Sequence, residues 1–319
     1  MYFPTAGIEV SIWVPPLVAF VISFFTSMGG VSGAFLLLPF QMSFLGYTNP
    51  SVSATNQLFN IVAIPSGVYR YCKEGRMVWP LTWVVVAGTL PGVFIGAFVR
   101  IAYLPDPKAF KLFAGGVLLW IGGKMALELL KKNSGTGKAV AEKQFQELVR
   151  HYEETETEGS IKDQPSFPAV KVTHFNFERL GYTFYGEQFN VSFWGVCGLS
   201  LIVGVVGGIY GIGGGAIIAP FFVAFFNLPV YTVAGAALMG TFVTSIAGVG
   251  FYQMMAPFYP HMSVAPDWLL GILFGLGGMV GMYLGARCQK YVPAHAIKWM
   301  LAGIILLTAG KYVFGFFGK

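Results

Sequence analysis

A single offset, 181 positions, constrains this chain more than any other feature. It separates Gly33 from Gly214, Pro39 from Pro220, Gly67 from Gly248 and Tyr71 from Tyr252. The matched stretches are GGVSGAFLLLPF, from Gly29 to Phe40, and YGIGGGAIIAPF, from Tyr210 to Phe221. A gapless match of glycines and prolines over about forty residues marks a duplicated chain built from two copies of one unit. Each copy carries a glycine-rich, polar backbone into an otherwise apolar sequence. The expectation is that these two elements face each other and hold a solute.

The medium of the fold follows from charge density. Of 319 residues, 55% are hydrophobic and 11% charged, and the mean hydropathy is +0.66. Soluble domains carry about 25% charged residues. The apolar runs are long and do not alternate, so they predict membrane helices rather than the strands of a barrel, because a lipid-exposed backbone must satisfy its own hydrogen bonds. The runs are Ile12–Met28, Val31–Leu45, Val52–Tyr69, Val78–Val99 and Phe110–Leu130, then Phe193–Ile209, Ala216–Phe226, Thr232–Met255, Trp268–Ala286 and Ala296–Phe317. The first two lie near the lower length for a span, about 17 residues. They either cross as short helices or dip in and return as a re-entrant pair, and a rival count of four crossings per half with re-entrant loops would set the halves parallel. The expected fold is an all-α polytopic membrane protein of two inverted repeats with about five transmembrane segments each, some short or broken.

Residues 131–190 interrupt this plan. Lys138–Glu158 is charged and helix-forming, whereas Val170–Phe177 and Tyr182–Val191 are aromatic and β-branched, with a turn expected near Arg179-Leu-Gly181. The domains are thus 1–130, a first membrane repeat; 131–190, a small soluble α+β insert of helix plus β-hairpin or small sheet; and 191–319, a second membrane repeat.

Charge distribution bears on partners and orientation. The insert holds eight Lys/Arg and nine Asp/Glu, the rest twelve and five, so the positive excess belongs to the membrane part. That favours anionic lipid headgroups first and anionic solutes second. Arg70, Lys73 and Arg76 follow the third run, but the equivalent loop, Ala256–Asp267, has no Lys or Arg. The positive-inside rule then puts the two loops on opposite sides, with the insert, Arg287, Lys290 and Lys298 inside and both termini outside. Arg100, Lys108 and Lys111 fall outside, against the rule. The start, Met-Tyr-Phe-Pro, lacks the basic region of a cleavable signal. Cys72, Cys197 and Cys288 are far apart and read as small buried hydrophobes.

The candidate site comes from polar groups in the apolar runs. Ser53, Asn56, Gln57 and Asn60 share one helical face, as do Thr241, Thr244, Ser245 and Gly248, with Thr241 at the repeat position of Asn60. Such faces serve either as hydrogen-bonding glue between helices or as the lining of a solute path. Gly29, Gly30 and Gly33, and Gly211, Gly213, Gly214 and Gly215, precede apolar runs. Helix starts there would aim free N–H groups from Gly30, Gly33, Gly211 and Gly214 at an anion; the alternative is tight packing at a helix crossing. Gly92–Gly96 and Gly281–Gly285 are GxxxG patterns read as helix-packing glycines.

Gly30-Val-Ser32-Gly33 also spells the GxSG of intramembrane serine proteases. That reading is rejected, because a nucleophilic serine needs a base histidine in reach, and His261, His295, His151 and His174 lie in loops or the insert. The apolar runs offer no paired carboxylates; Glu128 is expected to pair near the surface with Lys124 and its neighbours. No enzyme activity, cofactor or metal is expected.

The two glycine–proline stretches, each followed by a small-residue helix (Ser53–Gly67 and Ala234–Gly248), resemble the TauE/SafE family of sulfite and organosulfonate exporters. The resemblance covers about 1–130 and 191–319 and not the insert. It implies a multi-pass permease of the prokaryotic inner membrane that exports sulfite, sulfoacetate or a related small anion; the alternatives are a passive anion channel or an importer of a related sulfur-containing anion. The substrate-binding set would be Gly30, Ser32, Gly33, Asn56, Gln57, Asn60, Gly211, Gly213, Gly214, Thr241, Thr244 and Ser245, with alternating access between the repeats. Expected partners are the small anionic solute and membrane lipid, not nucleic acid, with room left for a homodimer.

Overall fold

The computed structural model describes residues 1–28, 31–73, 75–130, 170–184, 187–215, 217–288 and 294–317. The first copy folds as α1 (Val14–Met28), α2 (Ala34–Ser43), α3 (Ser51–Lys73), α4 (Trp79–Ala102) and α5 (Pro107–Leu130). The second folds as α6 (Phe193–Tyr210), α7 (Ile218–Phe225), α8 (Val230–Met255), α9 (Trp268–Cys288) and α10 (Ala294–Phe317). Every expected apolar run sits on one of these helices. A small hairpin, β1 (Tyr2–Phe3) with β2 (Ile8–Glu9), precedes α1, and an antiparallel sheet of β3 (Val170–Phe175), β4 (Arg179–Phe184) and β5 (Glu187–Ser192) precedes α6. The expected soluble helix, Lys138–Glu158, lies outside the described residues.

Among the described residues, Trp79–Ala102, Phe193–Tyr210, Thr232–Phe258 and Trp268–Cys288 are long and apolar enough to cross a membrane. Helix α3 has the length, 23 residues, but its amides and hydroxyls dilute its apolar character. Helices α2 and α7 have 10 and 8 residues. At about 1.5 Å per residue they fall well short of a hydrocarbon layer about 30 Å thick. The residues before α1 and those after α2 lie at one end of the bundle. There Thr5 O accepts from Asn49 Nδ2 at 3.5 Å and from Ser263 Oγ at 2.7 Å, joining the start of the chain, the loop after α2 and the loop after α8.

Glycine decides how the helices meet. Gly88, Gly92 and Gly96 form a stripe along α4 that lies on Cys197, Leu201 and Val205 of α6, so these two helices run parallel. Gly277, Gly281 and Gly285 form the matching stripe along α9, lying on Pro16, Phe20 and Phe24 of α1, again parallel. Most of the neighbouring atoms are backbone, which a side chain on either stripe would have to displace. The GxxxG patterns are thus packing surfaces, as expected, and each joins one copy to the other. Helices α3 and α8 instead run antiparallel: Gln57 faces Gly248, Asn60 reaches Ser245, and Tyr71 packs on Gly235.

Proline adds a second link between copies. Pro39 inside α2 has no N–H to give to the carbonyl of Phe35, four residues back. Tyr210, at the end of α6, donates its hydroxyl to that Phe35 oxygen at 3.2 Å.

Several local expectations are corrected. Arg179, Leu180 and Gly181 are not a turn but the start of β4, the central strand, because Leu180, Tyr182 and Phe184 bury one face of the sheet while β5 adds Phe189 and Val191. Tyr182 hydrogen-bonds Thr232 near the start of α8 at 2.8 Å, and burial pushes its phenol above the usual tyrosine range. Arg70 belongs to the last turns of α3 rather than to a loop, and Arg76 is buried with its guanidinium 4.6 Å from the Tyr71 ring. Arg100 is fully buried and stacked 3.8 Å over Phe110, so it is not one of the loop charges that the positive-inside rule counts. Cys72 is exposed, on the side of α3 away from the buried Tyr71, and Cys197 and Cys288 are half-buried. Lys124 lies 3.5 Å from the Phe225 ring, and the Glu128 side chain lies outside the described residues.

A paired substitution tests the glycine stripes. A Cβ on Gly92 would meet Leu201 O at 2.5 Å and Val205 N at 2.7 Å, whereas one on Gly116 of α5 would meet nothing within 4 Å. Gly92→Ala should cost about 1–3 kcal/mol through overpacking, and Gly116→Ala should gain about 0.5–1 kcal/mol from the lost backbone freedom of glycine. Thermal unfolding in detergent reads both signs.

Candidate functional site

The centre of the bundle is a knot of neutral polar groups around α3. Asn56 donates through Nδ2 to Ala34 O at 2.9 Å and to Gly211 O at 3.1 Å. The first carbonyl belongs to the start of α2, the second to the glycine loop of the other copy. Asn60 repeats the arrangement one turn on. Its Oδ1 accepts from Ser32 Oγ at 2.6 Å, and its Nδ2 donates to Ile212 O at 2.9 Å and Ser245 Oγ at 3.2 Å. Two amides on one helical face therefore bind the interrupted backbone of both copies. Ser32, Asn56, Gln57, Asn60, Thr241, Thr244 and Ser245 are all fully buried.

The second glycine loop sits in a slot between helices. Gly211 closes α6 in a left-handed conformation, φ 81°, and its N–H stays with Gly207 O. It lies against Ser53 of α3. Gly213, φ 79°, lies against Thr241 and Ser245, Gly215 against Ala237 and Thr241, and Gly214 against Thr89 of α4. No residue with a Cβ fits at this crossing without moving one of three helices. Gly214 N donates to Thr244 Oγ1 at 3.0 Å. Thr241 and Thr244 also return their own hydroxyls to Ala237 O and Gly240 O, one turn back, at 2.8 and 2.7 Å.

This geometry brings together both tips and both polar faces, with a chemical difference from the expected site. Gly211 and Gly214 do not offer bare N–H groups: one amide ends a helix and the other is taken by Thr244. What the tips present to the centre is carbonyl oxygen, which the asparagines cover. Gly33 is the residue before α2 and is packed on Ser23 and Phe59; Ala34 N bonds Ser32 Oγ at 3.3 Å. Gly30 lies outside the described residues. Ser32 directs its proton at a neutral amide oxygen, which is no base.

Sequence reasoning passed over three residues that belong with this centre. Gln41 of α2 donates through Nε2 to Asn56 Oδ1 at 3.3 Å. Thr89 backs Gly214, and Tyr210 holds Phe35 O. The signal available for Gln41 was its being a lone amide in an apolar run.

Asn60 carries the clearest prediction. Asn60→Leu removes three hydrogen bonds and strands Ser32 and the Ile212 carbonyl, so it should destabilise the protein by about 2–4 kcal/mol. Thr241→Val loses only a bond within its own helix and should cost under about 1 kcal/mol. Melting temperatures of the two variants in detergent check the difference.

No curated protein and no solved structure matches the chain. The family described as Sulfite exporter TauE/SafE matches residues 16–312, across both helical copies and the segment between them. With nearly the whole chain matched, and with apolar helices that make it a multi-pass membrane protein, it belongs to the TauE/SafE sulfite exporter family.

Proposed function

We propose that the protein exports a small sulfur oxyanion, sulfite or an organosulfonate such as sulfoacetate, across the prokaryotic inner membrane by alternating access. The observation that carries this reading is the convergence of both glycine tips on Asn56 and Asn60, in a fully buried centre built of amides and hydroxyls with no carboxylate among its described members. Such a centre sets no fixed negative charge against an anion. An inverted arrangement of the copies is supported by the antiparallel run of α3 and α8, which are equivalent under the 181-residue offset. An odd number of crossings per copy would produce that inversion, because it flips the second copy. The parallel contacts of α1 with α9 and α4 with α6 tie the first helix of each copy to the fourth helix of the other. Rocking would then open the centre to either side in turn.

The test is flux in proteoliposomes. Labelled sulfite and sulfoacetate should move saturably and show counterflow against unlabelled anion. Linear, non-saturating flux without counterflow would replace the carrier with a channel. No movement of either anion by folded protein would overturn the proposal.

A further inference from the structure

The seam between α3 and α8 contains its own control, because the duplication places equivalent residues at its two ends. Those ends differ in chemistry. Towards the β3–β5 end, Gly67 faces Leu238, and Leu238 packs with Ile64, Tyr71, Met77, Ala234 and Met282 into an apolar plug. Towards the β1–β2 end, the equivalent Gly248 faces Gln57, which stands where Leu238 stands in the other copy. Ser53 likewise takes the place of Ala234.

Gln57 is fully buried, and neither its amide nitrogen nor its amide oxygen has a hydrogen-bond partner. One turn along, the Tyr252 hydroxyl faces Ser53, yet neither oxygen completes a hydrogen bond. Arg100 lies within electrostatic reach of Tyr252. Its guanidinium is tethered to the carbonyls of Leu104 and Thr48, its Nε is left over, and no carboxylate pairs with it among the described residues. Buried polar groups are paired in folded proteins, and a buried cation without a counter-charge is costly. The unpaired groups here are contiguous and are donors for the most part. Asn56 and Asn60, in contrast, have their donors occupied by the backbone tips.

We infer that Gln57, Ser53 and Tyr252, in the field of Arg100, form the seat of the transported oxyanion, while Asn56 and Asn60 are positioning residues that hold the tips. The inference rests on the proposed anion transport and names where the anion sits. An oxyanion of sulfur offers several acceptor oxygens, which take the Gln57 amide N–H and the Ser53 and Tyr252 hydroxyls. The Gln57 carbonyl oxygen accepts from a water that enters with the anion. Arg100 supplies the counter-charge without a direct contact being required. The apolar plug lies at the opposite end of the seam from this seat.

The test is equilibrium binding of labelled sulfite to the purified full chain, with sulfoacetate and sulfate as competitors. Gln57→Leu and Tyr252→Phe should each raise the sulfite Kd about tenfold, the effect of one hydrogen bond to a charged group. Gln57→Glu should abolish binding by like-charge repulsion. The melting temperature of Gln57→Leu should stay level or rise, because leucine is the residue at the equivalent position and an unpaired amide is removed. Tyr252→Phe preserves shape and reports separately should Gln57→Leu not fold. Wild-type affinity in both variants would overturn the seat and leave anion transport standing. Failure of the unaltered chain to bind any of the three anions would overturn the transport reading and the seat together.

Discussion

The rest of the structure depends on two side-chain amides that satisfy broken backbone in the interior. Helices α2 and α7 are too short to cross a bilayer, so their starting loops end among the other helices. In that medium no water pairs a stranded carbonyl, and each unpaired group costs several kcal/mol, about as much as a small domain can spare in total. Asn56 and Asn60 cap Ala34, Gly211 and Ile212 from one face of α3. Because each asparagine reaches both copies, the same bonds that satisfy the loops also lock the copies together.

Close approach is the second requirement, and glycine supplies it. The stripe on α4 and the stripe on α9 let α6 and α1 lie backbone to backbone on the opposite copy. Interhelical contact in lipid draws little from the hydrophobic effect, so dense packing and hydrogen bonding are the main terms left. The loop from Gly211 to Gly215 obeys the same logic at a tighter crossing, where Ser53, Thr89 and Thr241 all press against it. Two of its glycines also adopt positive φ, which side chains resist. The resulting geometry is a fully buried polar centre with an apolar cluster on one side and the unpaired groups of Gln57, Ser53 and Tyr252 on the other.

Much of this was legible in the sequence. The offset between Gly33 and Gly214 predicted duplication, and the runs around Val52–Tyr69 and Thr232–Met255 predicted the helices now seen. The helical spacing of Ser53, Asn56, Gln57 and Asn60 predicted one polar face. What was not legible was how that face divides. Asn56 and Asn60 meet backbone carbonyls more than 150 positions away, whereas Gln57, between them in sequence, meets none. Periodicity gives the same weight to all three. The turn expected at Arg179-Leu-Gly181 failed for a similar reason: a glycine in a strand is licensed by its neighbours, here His174 and Asn190, and those are assigned only by strand pairing.

By itself the sequence determined the medium, the duplication and the helix spans, because these depend on composition and local period, and local terms are complete within a segment. Tertiary structure alone decided which amides are consumed and which are left unpaired, that Arg100 is an interior cation rather than a loop charge, and that the glycine tips turn carbonyls rather than amides to the centre. Those outcomes depend on which helix lies opposite, and hydrogen-bond satisfaction is a property of the pair, never of one strand of sequence.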